Sequence, residues 1–170
     1  MRFLAVAVMV LFLGTAIAQD HKHKHAPYAG MQTRPVKALT EQQITDLRTG
    51  RGMGLALPAE LNGYPGPLHV LELADGLSLG NDQRKRIQAL YESMKSEAIA
   101  IGEKLIEAEA ALDLAFKDRS ITPVRLAELT AQVGRLQGEL RAVHLGHHLT
   151  TAELLSVEQS RRYVELRGYR

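Results

Sequence analysis

The sequence predicts an all-α protein whose main element is a long antiparallel helical hairpin with short flanking helices. Two long segments carry apolar side chains at alternating spacings of three and four residues, which is the pattern of a helix packed lengthwise on another helix. The short connection DRSI, residues 118–121, joins the two segments, so the helices must fold back on each other. Residues typical of helix starts stand in front of several predicted helices.

Residues 1–18 are predicted to be a cleavable signal peptide. Met1-Arg2 is a short basic start, the apolar run FLAVAVMVLFLG is too short to span a bilayer comfortably, and Ala16-Ile17-Ala18 fits the small-x-small cleavage rule. An uncleaved membrane anchor is the alternative interpretation. The signal peptide predicts that the chain is exported.

Residues 19–38 are predicted to be a disordered tail, because QDHKHKHAPYAGMQTRPVKA is polar, basic and His-rich and shows no hydrophobic period. Residues 39–170 are predicted to form a single helical domain. The chain has no Cys, which excludes disulfides and thiol metal sites, so its stability must come from packing. The formal net charge of +2 gives no electrostatic support for nucleic-acid binding.

Two short helices are predicted ahead of the hairpin. The stretch LTEQQITDL opens the first of them with a helix-start signal. Residues 48–67 are rich in Gly and Pro and are predicted to be a loop or a broken turn of helix, apolar enough to pack against another element. Pro67 then begins a second short helix that Gly76 can close.

The hairpin is predicted to consist of a helix from about Asn81 to Lys117 and a second helix that runs to about Glu153. Thr122 is the predicted N-cap of the second helix, and Pro123 occupies its first turn. The apolar positions that should face each other are Ile87, Leu90, Met94, Ala98, Ile101, Leu105, Ala108, Leu112 and Ala115 on the first helix, and Leu126, Leu129, Val133, Leu136, Leu140 and Val143 on the second. The stretch LSVEQSRRYVELRGY begins a final helix.

Two helix starts share a pattern of Leu, a hydroxyl residue, two spacers and Gln, and a third keeps the Leu and the Gln. In such a capping box the hydroxyl accepts a bond from one backbone N–H, and the Gln side chain reaches back to another. The second copy has Gly80 in place of the hydroxyl, which should cost only about a few tenths of a kcal/mol. The motif residues are Leu39, Thr40 and Gln43, then Leu79 and Gln83, then Leu155, Ser156 and Gln159.

These features together resemble the periplasmic Spy/CpxP family, which includes heavy-metal sensing and zinc-resistance proteins. The resemblance covers residues 39–170 and departs from the family pattern at Gly80 and at Val157, where the family often has Pro. It implies a homodimer of bent helical hairpins, shaped like a cradle, in the periplasm of Gram-negative bacteria. Some members are ATP-independent chaperones that hold unfolded clients on the concave face, others bind metal, and none is known for catalysis.

His144 and His148 are the sharpest local signal in the sequence. Two His four residues apart on a helix project from one face, at a spacing suited to one transition-metal ion. His147 falls on the apolar stripe of the same helix. The alternative is that these are solvated or hydrogen-bonded helix residues.

Two His side chains do not complete a metal site, and the predicted hairpin suggests further ligands. The turn brings Met94 to the same level on the partner helix, and His69 and Glu72 on the short preceding helix can approach the same end. This donor set would suit nickel, copper or cobalt, and His with Glu would suit zinc. The alternatives are that Met94 is an ordinary core residue and that His69 and Glu72 form a hydrogen-bonded pair.

The predicted tail contains a second His cluster. His21, His23 and His25 alternate along HKHKH, so in an extended chain they share one side. His-rich tracts bind metals without needing a fold, which predicts weak metal capture; the alternative is a flexible, solubilising end.

The sequence contains no arrangement of residues that supports an enzyme. The sequence supports two main hypotheses for the function. The first is a chaperone for unfolded periplasmic proteins, and the alternative is a metal-binding sensor or resistance protein. Basic clusters at residues 84–86, 161–162 and 167–170, interleaved with apolar residues, favour the attraction of unfolded chains. Docking on a membrane sensor protein is a third hypothesis.

Overall fold

The computed structural model describes residues 27–169, and within them all regular structure is helical. The helices are α1 (Glu41–Thr49), α2 (Leu57–Glu60), α3 (Pro67–Glu72), α4 (Asn81–Lys117), α5 (Pro123–Glu153) and α6 (Val157–Arg167). A 3-10 turn at Met31–Thr33 precedes α1. The predicted all-α class, with one long hairpin and short flanking helices, is therefore confirmed. None of the helices in this part of the chain combines the length and the hydropathy needed to cross a bilayer.

Helices α4 and α5 pack against each other as the alternating apolar spacing predicts, and both begin and end at the predicted residues. The buried seam runs through Ala98 and Leu105 of α4 and through Val133, Leu136 and Leu140 of α5. The seam stops short of the hairpin turn, because residues 123–132 include no buried side chain. Leu126, which was predicted to belong to the seam, is 39% exposed. Side chains at a hairpin end have fewer neighbours than those in its middle.

Helix α1 lies across α4 with very little space between the two backbones. A Cβ atom added at Gly102 of α4 would lie 2.7 Å from the carbonyl oxygen of Leu47, so a glycine is needed at this crossing. The predicted capping box of α1 is present: Thr40 Oγ1 accepts from the N–H of Gln43 at 3.1 Å, and Gln43 Oε1 accepts from the N–H of Thr40 at 2.8 Å. The local sequence signal therefore places the start of α1 correctly.

Two sequence predictions need correction at the edges of the fold. The predicted disordered tail does not extend to residue 38, because Val36 is buried in the core against α4 and α5, and Lys37 pairs with Asp113 at 3.1 Å. Val36 stands between Pro35 and Lys37 in a stretch without a hydrophobic period, so no periodic pattern marked it. The second short helix ends at Glu72 and not at Gly76, because the chain leaves the helix at Leu73 and continues in turns.

The second and third copies of the helix-start motif meet in space. Ser156 and Gln159 form a complete capping box, whereas Gly80 provides no side-chain cap. The amide of Gln83 is therefore free to reach across to α6: its Nε2 donates to the carbonyl of Leu154 at 2.6 Å and to Gln159 Oε1 at 2.7 Å. Gln159 Nε2 donates back to Gln83 Oε1 at 3.0 Å. The degenerate copy thus serves as a tertiary contact that fixes α6 on the hairpin.

Gln83→Ala should lower the free energy of unfolding by about 1 kcal/mol, because it leaves the Leu154 carbonyl and the Gln159 amide without this partner. The matched control is Gln88→Ala on an exposed face of the same helix, where the amide bonds only to Glu92. Urea unfolding followed by circular dichroism measures both. An equal loss in the two variants would show that the Gln83 bridge contributes no stability.

Candidate functional site

A cleft of about 530 Å³ opens between the hairpin and the loop that connects α1 to α3. Its floor is provided by the two long helices and its walls by the loop and by the first turn of α3. The residues that carry chemistry in its lining are Met53, Glu60, His69, Tyr91, Met94, His144 and His148. Four of the predicted metal ligands, which are His69, Met94, His144 and His148, are therefore brought together.

His144 is the most unusual side chain in the cleft. It is only 2% exposed, and its Nε2 atom has no hydrogen-bond partner among the described residues. Burial lowers the pKa of His144, and the neighbouring His148 and His147 lower it further, so the ring is held neutral. A buried polar atom without a partner is costly, which marks His144 Nε2 as a position that a ligand would satisfy.

His148 is held in one orientation by the loop. Its Nδ1 donates to the carbonyl oxygen of Tyr64 at 2.7 Å and lies 3.7 Å from Glu60 Oε2, so Nε2 is the ring nitrogen that these contacts leave uncommitted. A Cβ atom at Gly66 would lie 2.8 Å from His148 Nε2, so only glycine allows the chain to pass this close to the ring. The Gly- and Pro-rich loop is thus shaped to fit over the imidazoles.

Two of the predicted ligands lie elsewhere. His147 is one residue before His148 and therefore faces about 100° away around the helix. Its Nδ1 donates to the Val143 carbonyl at 2.9 Å, and its Nε2 lies 3.6 Å from Glu97. Glu72 is exposed and is not part of the cleft lining. The tail residues His21, His23 and His25 lie outside the described residues, so their metal binding stays a prediction.

Glu60 is the carboxylate of the site, and the sequence analysis did not single it out. It is 4% exposed and accepts several hydrogen bonds. Its partners are Tyr163 Oη at 2.5 Å, Tyr169 Oη at 3.1 Å, His69 Nδ1 at 3.1 Å and the N–H of Gly66 at 3.3 Å, with Arg167 Nε at 3.5 Å. One feature of the sequence could have identified it. Glu60 is a single acidic residue within the apolar stretch LALPAEL, and this pattern favours a buried carboxylate with hydrogen-bond partners.

The network around Glu60 determines its charge state. Burial acts to raise the pKa of Glu60, but hydrogen bonds from His69 and Tyr163, together with the positive charge of His69, lower it to about 2. The pKa of Tyr163 is raised by its burial and by its bond to Glu60. Glu60 is therefore an ionised structural anchor that ties α2 and α3 to α6.

The donors that remain for a ligand are few. Among residues 27–169, no group of three or more His, Asp or Glu side chains is arranged to hold a metal ion. His69 already uses Nδ1 to bond Glu60, which leaves the imidazoles of His144 and His148 and the thioethers of Met53 and Met94 as uncommitted donors in the cleft. Binding of a metal at these residues stays a prediction.

Comparison of the chain with protein-family models, with curated proteins and with solved structures gave no match. The resemblance to the Spy/CpxP family therefore rests on the sequence features alone.

Proposed function

We propose that the protein is a periplasmic, ATP-independent chaperone of the envelope-stress type, which holds unfolded clients on an apolar surface of its helical fold. The observation that carries the proposal is a group of exposed apolar side chains on the loop around the cleft, here called the loop patch. It consists of Met53, Leu57, Leu61, Tyr64 and Leu68, with exposed fractions from 39% for Leu68 to 58% for Leu61. Clustered apolar side chains on a surface are typical of binding sites for other chains.

The segment that carries the loop patch is packed against the fold on its inner side. Glu60, Pro65 and Pro67 of the same segment are buried, and the carbonyl of Tyr64 accepts a bond from His148. The inner side of this segment is therefore packed against the rest of the fold, while the side chains of the loop patch stay exposed. Met53, Leu57 and Leu68 also line the cleft, so the apolar surface continues into a concave space that can accept a client side chain.

Ion pairs weaken the surface charge that would attract unfolded chains. The basic cluster at residues 84–86 is exposed at the start of α4, but Arg84 pairs with Asp75 at 2.8 Å and Lys85 lies 4.0 Å from Asp82. Arg161 and Arg162 both pair with Glu165, at 3.0 and 3.1 Å, so this cluster is partly neutralised as well. Such exposed pairs contribute little to stability.

The proposal includes the homodimer that the resemblance implies. A second set of exposed apolar side chains, the tip patch, lies where α4 meets α5 and consists of Leu114, Phe116, Val124 and Leu126. Leu114 is 20 residues from Met94 along α4, and Val124 is 20 residues from His144 along α5, which is roughly 30 Å from the cleft at 1.5 Å per residue. A second copy of the chain can therefore cover the tip patch while the loop patch stays available to clients.

A chaperone assay tests the proposal directly. The metal-free protein should suppress the aggregation of a chemically denatured client, and Leu57→Ser with Leu61→Ser should weaken that activity several-fold because the change removes apolar contact area from the loop patch. The matched control is Leu149→Ser with Val157→Ser, two exposed apolar residues outside the patch, which should suppress like the unaltered protein. An absence of suppression by the unaltered protein at molar excess would contradict the proposal.

A second candidate function is metal sensing or resistance, and the unpartnered Nε2 of His144 favours it. In this function the cleft binds zinc, copper, nickel or cobalt through His144 and His148, and the protein reports to a membrane sensor protein. Titration of these ions into the protein and into a His144→Ala, His148→Ala variant tests this function. If the variant bound the same number of metal ions per chain, the site on α5 would be contradicted and binding would be assigned to the His-rich tail.

A further inference from the structure

We infer that the cleft is a soft-metal site, selective for Cu(I) and its analogue Ag(I), in which His144 Nε2 and the thioether sulfurs of Met94 and Met53 are the ligands. This inference rests on the second candidate function and names the metal class that the cleft would take.

Methionine is concentrated in the cleft. The described part of the chain contains three Met residues, Met31, Met53 and Met94, and the last two both line this one space. Thioether sulfur is a soft donor that selects Cu(I), whereas imidazole alone also suits zinc and nickel. Two His residues alone would suit several metals. The addition of two thioethers favours Cu(I) over zinc and nickel.

Met53 is held in an uncommon backbone conformation. Its φ is +44°, in the left-handed region that residues other than glycine seldom adopt, and it lies between Gly52 and Gly54 in the loop. Ser78 and Arg119 also have positive φ values; such strain persists only where the surrounding structure holds it, and it is frequent at ligand-binding sites. Met53 lines the cleft from the loop, and the buried Met94 lines it from α4.

The geometry of the two histidines suits ligation. His144 is 2% exposed and its Nε2 has no hydrogen-bond partner among the described residues, so a metal ion would satisfy a buried polar atom. His148 donates from Nδ1 to the carbonyl of Tyr64, the arrangement that orients metal-binding imidazoles in proteins. His148 also lines the cleft, with the backbone of Gly66 packed against its Nε2.

The direct test is an NMR titration of the full chain, with the three tail residues His21, His23 and His25 replaced by Ala so that the tail cannot compete. The Met methyl groups are labelled with carbon-13, and Ag(I), which is not redox-active under these conditions, is added. The methyl signals of Met53 and Met94 should shift together and saturate, while that of Met31 should not move.

Affinity measurements on variants complete the test. In anaerobic competition with a chromogenic Cu(I) chelator, Met94→Leu should weaken binding on the order of 10-fold or more, as should His144→Ala. Leucine keeps the volume of Met94, so the fold should persist. The controls are Met31→Leu, a Met outside the cleft, and His147→Ala, a His on the same helix that faces Glu97; both should bind Cu(I) like the parent protein.

The outcomes separate this inference from the function on which it rests. Binding of zinc or nickel that depends on His144, with no shift of the Met53 and Met94 signals by Ag(I), would overturn the soft-metal site and leave metal sensing in place. Equal shifts of the Met31, Met53 and Met94 signals would show nonspecific binding and overturn the site as well. If no metal bound, both the soft-metal site and the metal-sensing function would be contradicted. That result would not affect the chaperone proposal.

Discussion

Glu60→Ala should lower the free energy of unfolding by about 3–5 kcal/mol, the largest effect expected for a single substitution outside the hairpin seam. The carboxylate holds Tyr163, Tyr169 and His69 together. Its removal leaves the buried hydroxyl of Tyr163 without its acceptor and the charge of Arg167 without its nearest acid. Urea unfolding followed by circular dichroism measures the change as a lower midpoint.

The control for Glu60 is Glu72→Ala. Glu72 lies one helix further along the chain but is exposed, so its replacement should change stability by less than about 0.5 kcal/mol. If both variants lost the same stability, the Glu60 network would not be the anchor that the geometry indicates.

The network around Glu60 also makes the free energy of unfolding depend on pH, which the same urea unfolding experiment can measure. Because the pKa of Glu60 is lowered to about 2 in the folded state, from 4.5, the ionised carboxylate stabilises the fold above about pH 4.5. This contribution, on the order of 3 kcal/mol, is lost as the pH falls from about 4.5 towards 2. Glu109 has a raised pKa through burial and contributes with the opposite sign. The difference between the unaltered protein and Glu60→Gln therefore isolates the Glu60 term, and a pH-independent difference would refute it.

Leu136→Ala should lower the free energy of unfolding by about 2–5 kcal/mol, because it leaves a cavity in the middle of the hairpin seam. Leu136 is 2% exposed and belongs to the main core cluster together with Ala98 and Leu105 of α4. The loss should appear as a lower midpoint in urea and a lower thermal midpoint, without a change in helix content at low temperature.

Leu126→Ala is the matched control, since it changes the same residue type on the same helix. Within a single chain Leu126 is 39% exposed near the hairpin turn, so its replacement should cost the monomer less than about 1 kcal/mol. The sequence pattern assigns both residues to one apolar stripe and would predict equal losses. In the proposed dimer a second copy covers Leu126, which should add a loss that grows with protein concentration.

The helix bounds could be predicted because they depend on nearby residues. Helix α4 begins and ends as predicted, and the Thr40 and Ser156 caps are present with their Gln partners. A cap bonds a residue three positions away, and a helical stripe repeats every three or four, so a short window of sequence contains the information.

The neighbourhood of the candidate site was predicted in part by the same reasoning. Met94 and His144 share a cleft because a hairpin with a known turn determines which residues lie at the same level. His69 joins them, but the carboxylate beside it is Glu60 and not Glu72. The loop that carries Glu60 has no period from which its path could be calculated.

The sequence by itself determined the fold class, the bounds of the hairpin helices, the capped helix starts and the spacing of His144 and His148, because each depends on bonds or periodicities within a few residues. Tertiary structure alone decided that Glu60 meets Tyr163, 103 positions away, that Gln83 pairs with Gln159, and that Val36 is buried. Those contacts depend on how the loop and α6 fold back on the hairpin, and that path is selected by packing of the whole chain rather than by any local pattern.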